Sequence, residues 1–291
     1  MRQRIRRILV VYKKSAYQLH LVERKDAHLR RLLRARHPDV VEIRRAHVVH
    51  QRTLETVVRM LKRLGASCDL VYRADLRTVA RYDLVISVGG DGTVLQASHI
   101  VTTQPLLGVN SDPARSEAVF CAATPSTVTP VLRRVMSGQG RVRRLYRLRL
   151  AVNGRAIPTL ALNDVLIAHQ DPATMSRYRL RIGSRAESQK SSGLWVASAA
   201  GSSSAVLAAG GRKLAWTAMR FQYRPRELYR GRLSHPRLTG GVLAADQRVQ
   251  VTWLMRDGRM FIDGPHVHVP LRFGDQIDVR LSREHPLQLV G

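Results

Sequence analysis

Ile8-Leu9-Val10-Val11-Tyr12 is apolar without alternation, the pattern of a strand buried on both faces of a parallel sheet. A Leu- and Arg-rich stretch over 15–36 predicts a long helix. Leu54, Val57, Val58, Leu61 and Leu64 recur at helical spacing, so a second helix is predicted over 53–64, stopped by Gly65. Strands are predicted at 68–72 and 84–88, the latter running straight into Gly89-Gly90-Asp91-Gly92-Thr93. A helix over 94–101 and a strand over 105–109 complete an alternating β/α order, that of a doubly wound α/β domain. Thr124-Pro125 opens another helix, which Gly138 and Gly140 close. From Arg147 onward strands dominate, with turns at Asn153-Gly154, Asp171-Pro172, Asp257-Gly258 and Asp263-Gly264. Alternation over 147–152, 178–182, 250–253 and 277–281 predicts half-exposed antiparallel strands. The expected architecture is an α/β domain over 1–125 and a β-rich, sandwich-like domain over 126–291.

Composition narrows the class. The 291 residues carry 49 Lys+Arg against 21 Asp+Glu, a formal net charge of +28, and only six of the basic residues are lysines. That skew reads first as the codon usage of a GC-rich genome. A hydrophobic share of 44% excludes disorder for want of a core. A field this positive attracts anions, whether nucleic acid, nucleotides or an acidic partner. Basic residues are spread along the chain and aromatics are only 5%, so nucleic acid is not the expected partner. Cys68 and Cys121 are too few for a disulfide framework and lack metal-ligand spacing, which fits a reduced compartment. No stretch approaches the ~18 apolar residues of a membrane span. The basic lead from Met1 to Arg7 joins the first strand directly, so a soluble, cytoplasmic protein without a removable leader is expected.

Three segments carry candidate chemistry. In Gly89-Gly90-Asp91-Gly92-Thr93, the glycines let backbone N–H groups approach an anion, and the carboxyl end of a strand is where ligands sit in an open α/β sheet. Asp91 can take a proton from an attacking hydroxyl or help hold magnesium. The same run also reads as a tight turn with Asp91 capping the next helix. Asn163-Asp164 interrupts an apolar run and suits a ribose diol, or else an Asx turn or bulge. Lys190-Ser191-Ser192-Gly193 and Ser198-Ala199-Ala200-Gly201-Ser202-Ser203-Ser204 are rich in small residues that let a flat ring or a pyrophosphate lie on backbone. Alternatively they form a flexible loop before an alanine-rich helix. Arg141, Arg143, Arg144 and Arg147 suit phosphate or a solvated face. His169, His235, His266 and His268 have no metal-like spacing, and no metal site is expected.

These three segments, in this order, resemble the ATP-dependent NAD kinase family, which pairs a Gly-Gly-Asp-Gly-Thr loop with an Asn-acid motif and a small-residue segment. Residues 107–117 and 189–194 are similar in particular to its mitochondrial-type branch. The resemblance runs from Ile8 to the last strands. It implies transfer of the ATP γ-phosphoryl group to the 2′-hydroxyl of the adenosine ribose of NAD, with Mg²⁺ accompanying ATP and no tightly bound cofactor. It makes Asp91 the general base. It places Gly89, Gly90, Gly92, Thr93 and Asn110 at the nucleotide, and Asn163 and Asp164 at ribose and phosphate. Lys190 and Ser192 would stand beside the nicotinamide-side nucleotide, and Ala200, Gly201, Ser202 and Ser203 against the dinucleotide. A homodimer or larger homo-oligomer is implied too. Ala200 and Ala205 depart from the family's Thr and Tyr, which bears on the choice between NAD and NADH. Rival readings are a related lipid or small-molecule kinase and a non-catalytic nucleic-acid-binding protein.

Overall fold

The computed structural model describes residues 5–232 and 234–291, so the first four residues of the basic lead lie outside the described part. The chain forms two compact units. The first runs to Arg143 and takes in Gln288–Gly291, and the second spans Arg144–Leu287.

In the first unit, β1 (Arg7–Tyr12), β2 (Ser67–Tyr72), β3 (Leu84–Gly89) and β4 (Leu106–Asn110) are parallel in the order β2-β1-β3-β4. Leu289, near the end of the last strand, pairs parallel with Leu106 at the outer edge of β4. The continuous apolar runs follow from burial on both faces: β3 and β4 are buried at every position. One helical segment was expected over 15–36, but the chain there makes a short π-helix at Tyr17–Glu23, then α1 (Ala27–Arg34). Asp26 breaks the run by capping α1, its carboxylate accepting the Leu29 N–H. The next helix, α2 (Pro38–Arg63), begins well before the predicted 53, because Pro38 fits a helix's first turn. Its end is as the sequence indicates, with Gly65 at φ +72°. Leu54, Val57, Met60 and Leu61 of α2 share a core with Ile8, Val10, Leu84, Ile86 and Val109.

The helix opened near Thr124, α4 (Val128–Met136), follows α3 (Asp91–Ser98) and buries Val128, Val131, Leu132 and Val135 in that same core. It therefore belongs to the first unit, and the division falls after Arg143 rather than at the expected residue 125.

The second unit is a sandwich, as its alternation predicts. One layer joins β5 (Val142–Val152), β6 (Arg155–Ala156), β8 (Ser176–Ile182), β9 (Arg185–Ser191), β13 (Arg248–Trp253) and β16 (Gln276–Val290). The other is six-stranded, ordered β12 (Gly241–Ala244), β11 (Arg220–Pro225), β10 (Leu194–Ser198), β7 (Asp164–His169), β14 (Gly258–Ile262), β15 (Val267–Leu271). Tyr178, Leu180, Val249, Val251 and Trp253 from one layer pack with Val165, Ile167, Val196, Phe221 and Met260 from the other. The Asn153-Gly154, Asp257-Gly258 and Asp263-Gly264 turns form, with Asn153, Asp257 and Asp263 at positive φ. Arg147 is not a surface phosphate ligand. It is 2% exposed, and its Nε and Nη2 donate to the His285 carbonyl at 3.0 and 2.8 Å. Burial lowers its pKa to about 10, against the opposing pull of Asp263. Among the described residues no helix is long and apolar enough to cross a membrane.

Candidate functional site

The strand order β2-β1-β3-β4 reverses direction between β1 and β3, and ligands of such sheets bind outside the carboxyl ends at that reversal. Gly89-Gly90-Asp91-Gly92-Thr93 occupies that position: β3 ends at Gly89 and α3 starts at Asp91. A Cβ on Gly89 would stand 2.2 Å from Thr93 Oγ1, so this glycine is required by packing alone. Gly92 is different, since a Cβ there would meet nothing nearer than Arg73 Nη1 at 3.5 Å. Gly92 is exposed, Thr93 is buried, and the Thr93 hydroxyl makes no hydrogen bond to the protein.

Asp91 is not the cap of α3. That position is Gly90, without a side-chain bond. The Asp91 carboxylate instead accepts the Val119 N–H at Oδ2 and the Phe120 N–H at Oδ1, both at 2.8 Å. Burial raises its pKa above the ordinary carboxylate value, the two N–H donors oppose that rise, and Glu117 adds to it. Each oxygen retains a lone pair for a further donor. Asn110, at the end of β4, lies opposite Gly89. Its amide donates to the Ser116 carbonyl at 2.7 Å and its Oδ1 accepts the Asp112 N–H at 2.9 Å.

One group around the loop escaped the sequence reading. His50 of α2 is 1% exposed, with Nε2 on the Lys13 carbonyl at 2.7 Å and Nδ1 on Ser111 Oγ at 2.8 Å. The Ser111 N–H donates to the Gly89 carbonyl at 2.8 Å. His50 thus ties the ends of β1, β3 and β4 together. Burial depresses its pKa to about 4, so at neutral pH it is uncharged, donating through Nε2 and accepting through Nδ1.

In the second unit Asn163-Asp164 and the small-residue segment do come together. Asp164 is 7% exposed and its Oδ2 accepts Ser204 Oγ–H at 2.6 Å. Burial pushes its pKa up to about 6; Ser204 opposes the shift and Asp263 adds to it. Gly201 is packed so closely on Asn163 that a Cβ would stand 2.1 Å from the Asn163 carbonyl oxygen. The Gly201 N–H donates to Ser198 Oγ, and Ser202 Oγ donates to the Ala199 carbonyl at 2.7 Å. Ala200 and Ser202 are buried and Ser203 is exposed. What holds the Asn163-Asp164 corner is Asp263, read in the sequence only as a turn residue. Its carboxylate accepts the N–H groups of Leu162, Asn163 and Asp164 at 2.8, 2.7 and 3.1 Å.

Lys190 and Ser192 are not in this cluster. In the β10–β7 pairing Ala197 faces Asp164 and Leu194 faces Ile167, so Lys190 and Ser192 stand at the other end of β10. Lys190 Nζ lies 5.1 Å over the Tyr229 ring, and the Ser192 N–H donates to the Arg226 carbonyl. Of the segments expected as a flexible loop, Lys190 and Ser191 end β9 and Ser198 ends β10, whereas 199–204 form a turn that leads into one helical turn at Ala205–Ala208.

Comparison with known proteins identifies relatives of this chain. Residues 13–140 match the family model described as the ATP-NAD kinase N-terminal domain. The chain is 35% identical over 254 residues to a probable NADH kinase of Oryza sativa subsp. japonica, covering 79% of this chain and 78% of the relative. It is 27% identical to NAD kinase 2, mitochondrial, of Homo sapiens, over 67% of this chain and 56% of the relative. A crystal structure of an NAD kinase from Archaeoglobus fulgidus in complex with ATP superposes with a TM-score of 0.70 at 20% identity, covering 97% of this chain and 92% of that one. With its loop at the sheet's reversal point and a likeness to the rice relative over 79% of its length, the chain belongs to the NAD kinase family of phosphotransferases.

Proposed function

We propose that this protein transfers the γ-phosphoryl group of ATP to the 2′-hydroxyl of the adenosine ribose of NAD, producing NADP and ADP. The observation that carries the reading is the Asp91 carboxylate, held by two backbone N–H groups at the carboxyl end of β3 with its pKa raised. A carboxylate so placed is a stronger base than one in water. In the step, Asp91 takes the proton of the 2′-hydroxyl, the ribose oxygen bonds to the γ-phosphorus, and the bond to the β,γ-bridging oxygen breaks, leaving its electron pair on ADP. Mg²⁺ enters with ATP as part of the substrate and neutralises phosphate charge. Gly89, Gly90, Gly92, Thr93 and Asn110 line the nucleotide. Asn163 and Asp164 take ribose hydroxyls, Ala200, Gly201, Ser202 and Ser203 meet the dinucleotide, and Lys190 and Ser192 serve its nicotinamide side. A cytoplasmic homodimer or larger homo-oligomer belongs to the same reading, which sedimentation of the purified protein checks.

The test is incubation of purified protein with ATP, Mg²⁺ and NAD, followed by enzymatic detection of NADP. Parallel arms replace NAD by NADH and ATP by inorganic polyphosphate. Absence of NADP and NADPH in every arm overturns the proposal. Faster turnover in the NADH arm replaces the acceptor, a reading favoured by the name of the rice relative.

A further inference from the structure

Each of three neighbouring strands delivers something to the same place. β3 ends in the Gly89-Gly90-Asp91 loop, β1 is followed by Lys13, and β2 is followed by Arg73. The Lys13 backbone is fixed on both sides, its N–H donating to the Val88 carbonyl at 3.3 Å and its carbonyl accepting from His50. Its side chain lies on the loop, with Cδ 3.5 Å from where a Cβ on Gly89 would stand. Arg73 Nη1 lies equally near the bare face of Gly92. Other cations nearby are already engaged: Lys14 pairs with Glu23 at 2.9 Å and Arg115 with Asp112 at 3.1 Å. Lys13 and Arg73 have no carboxylate partner within ion-pair distance among the described residues.

We propose that Lys13 and Arg73 form the cradle for the terminal phosphate of a nucleoside triphosphate lying on the Gly89–Gly92 loop. A half-buried ammonium without a counter-ion is costly, and a ligand phosphate supplies the missing charge. Placed there, the two cations neutralise the phosphoryl group as it moves toward the hydroxyl that Asp91 deprotonates. The assignment rests on the kinase reading of the loop. Lys13 also has an electrostatic mark: burial lowers its pKa, Arg73 and Arg115 lower it further, and Asp112 and Cys121 oppose them. His50, neutral at working pH, packs on its backbone.

The experiment measures ATP and ADP binding by titration calorimetry, and NADP formation across pH, for wild type, Lys13→Met, Lys13→Arg and Arg73→Gln. Lys13→Met is expected to lose roughly tenfold or more in ATP affinity while ADP affinity changes little. Wild-type kcat/KM is expected to fall at high pH as Lys13 loses its proton. Lys13→Arg, which stays charged, should restore binding and move that fall to higher pH. Equal losses for ATP and ADP, or wild-type behaviour in Lys13→Met, overturn the cradle. If Lys13→Met does not fold, Arg73→Gln carries the same ATP-against-ADP comparison. A wild type that makes no NADP yet binds ATP in a Lys13-dependent way refutes the transfer reading and leaves the cradle standing.

Discussion

At Asp91 two demands meet in one side chain, because the oxygens that would take a proton also hold the backbone of Val119 and Phe120. Asn offers one oxygen and one NH2, so Asp91→Asn removes the base and sets an N–H against a donor. The expected result is a fall of roughly 10²–10⁴-fold in NADP formation, with a stability loss of about 1–3 kcal/mol from the orphaned amide. NAD binding by calorimetry should be largely kept, and near-normal turnover would remove Asp91 as the base. Because the carboxyl must be ionised to act, wild-type kcat/KM should drop on the acid side at a pH above that of an ordinary carboxylate.

His50 gives a stability test of its own. Folded, it stays neutral down to about pH 4, whereas its unfolded counterpart takes a proton near 6.5. The unfolded state therefore binds more protons between those values. Stability is full above 6.5 and falls as pH drops toward 4, by about 3 kcal/mol. Denaturant midpoints over that range should show the fall, and His50→Gln should flatten it. Neither His50 nor Asp263 was legible as a site residue. Each acts on partners some sixty to a hundred positions away, and local spacing carries no trace of such pairing. Asp91, Asn163 and Gly201 were legible because a carboxylate among glycines, or polar residues inside an apolar run, violate the local pattern where they stand.

Among the elements, two glycines of the candidate site answer different requirements. Gly201 leaves no room for a Cβ beside Asn163, while a Cβ on Gly92, in the first turn of α3, would only reach ordinary contact with Arg73. Gly201→Ala should cost about 1–3 kcal/mol through overpacking and displace Asn163. Gly92→Ala should leave the thermal midpoint unchanged or raise it, since Ala favours helix over Gly by about 1 kcal/mol. If a phosphate rests on Gly92, that same variant loses ATP affinity. An unaltered ATP KM in Gly92→Ala would take the phosphate off that residue. The parallel strands were legible because two-sided burial writes an unbroken apolar run. The short π-helix, α1 and the start of α2 were not, because the Leu/Arg pattern runs on through a capping Asp26 and a Pro38 that divide it. The β9 strand was hidden by its charged and polar residues, which sit in a strand only because β8 pairs with them.

For the whole molecule, the charge of +28 acts on approach rather than identity. ATP is a polyanion, so its association is accelerated at low salt and screened once the Debye length shrinks to a few ångströms. The KM for ATP should rise severalfold between roughly 0.05 and 0.5 M salt, with kcat little changed. A salt-independent KM would show that the field plays no part. The order of synthesis also follows from how the chain is threaded. Leu289 supplies the outermost pairing of the first unit's sheet and Val290 part of its core, so that unit cannot close until residues far downstream have left the ribosome. Until then the Leu106 end of the β4 edge, beyond the part that Ala122 and Ala123 cover, stands open, a template for unwanted pairing. The second unit, contiguous from Arg144 to Leu287, has no such wait. The half of the protein that carries Asp91 is begun first and finished last.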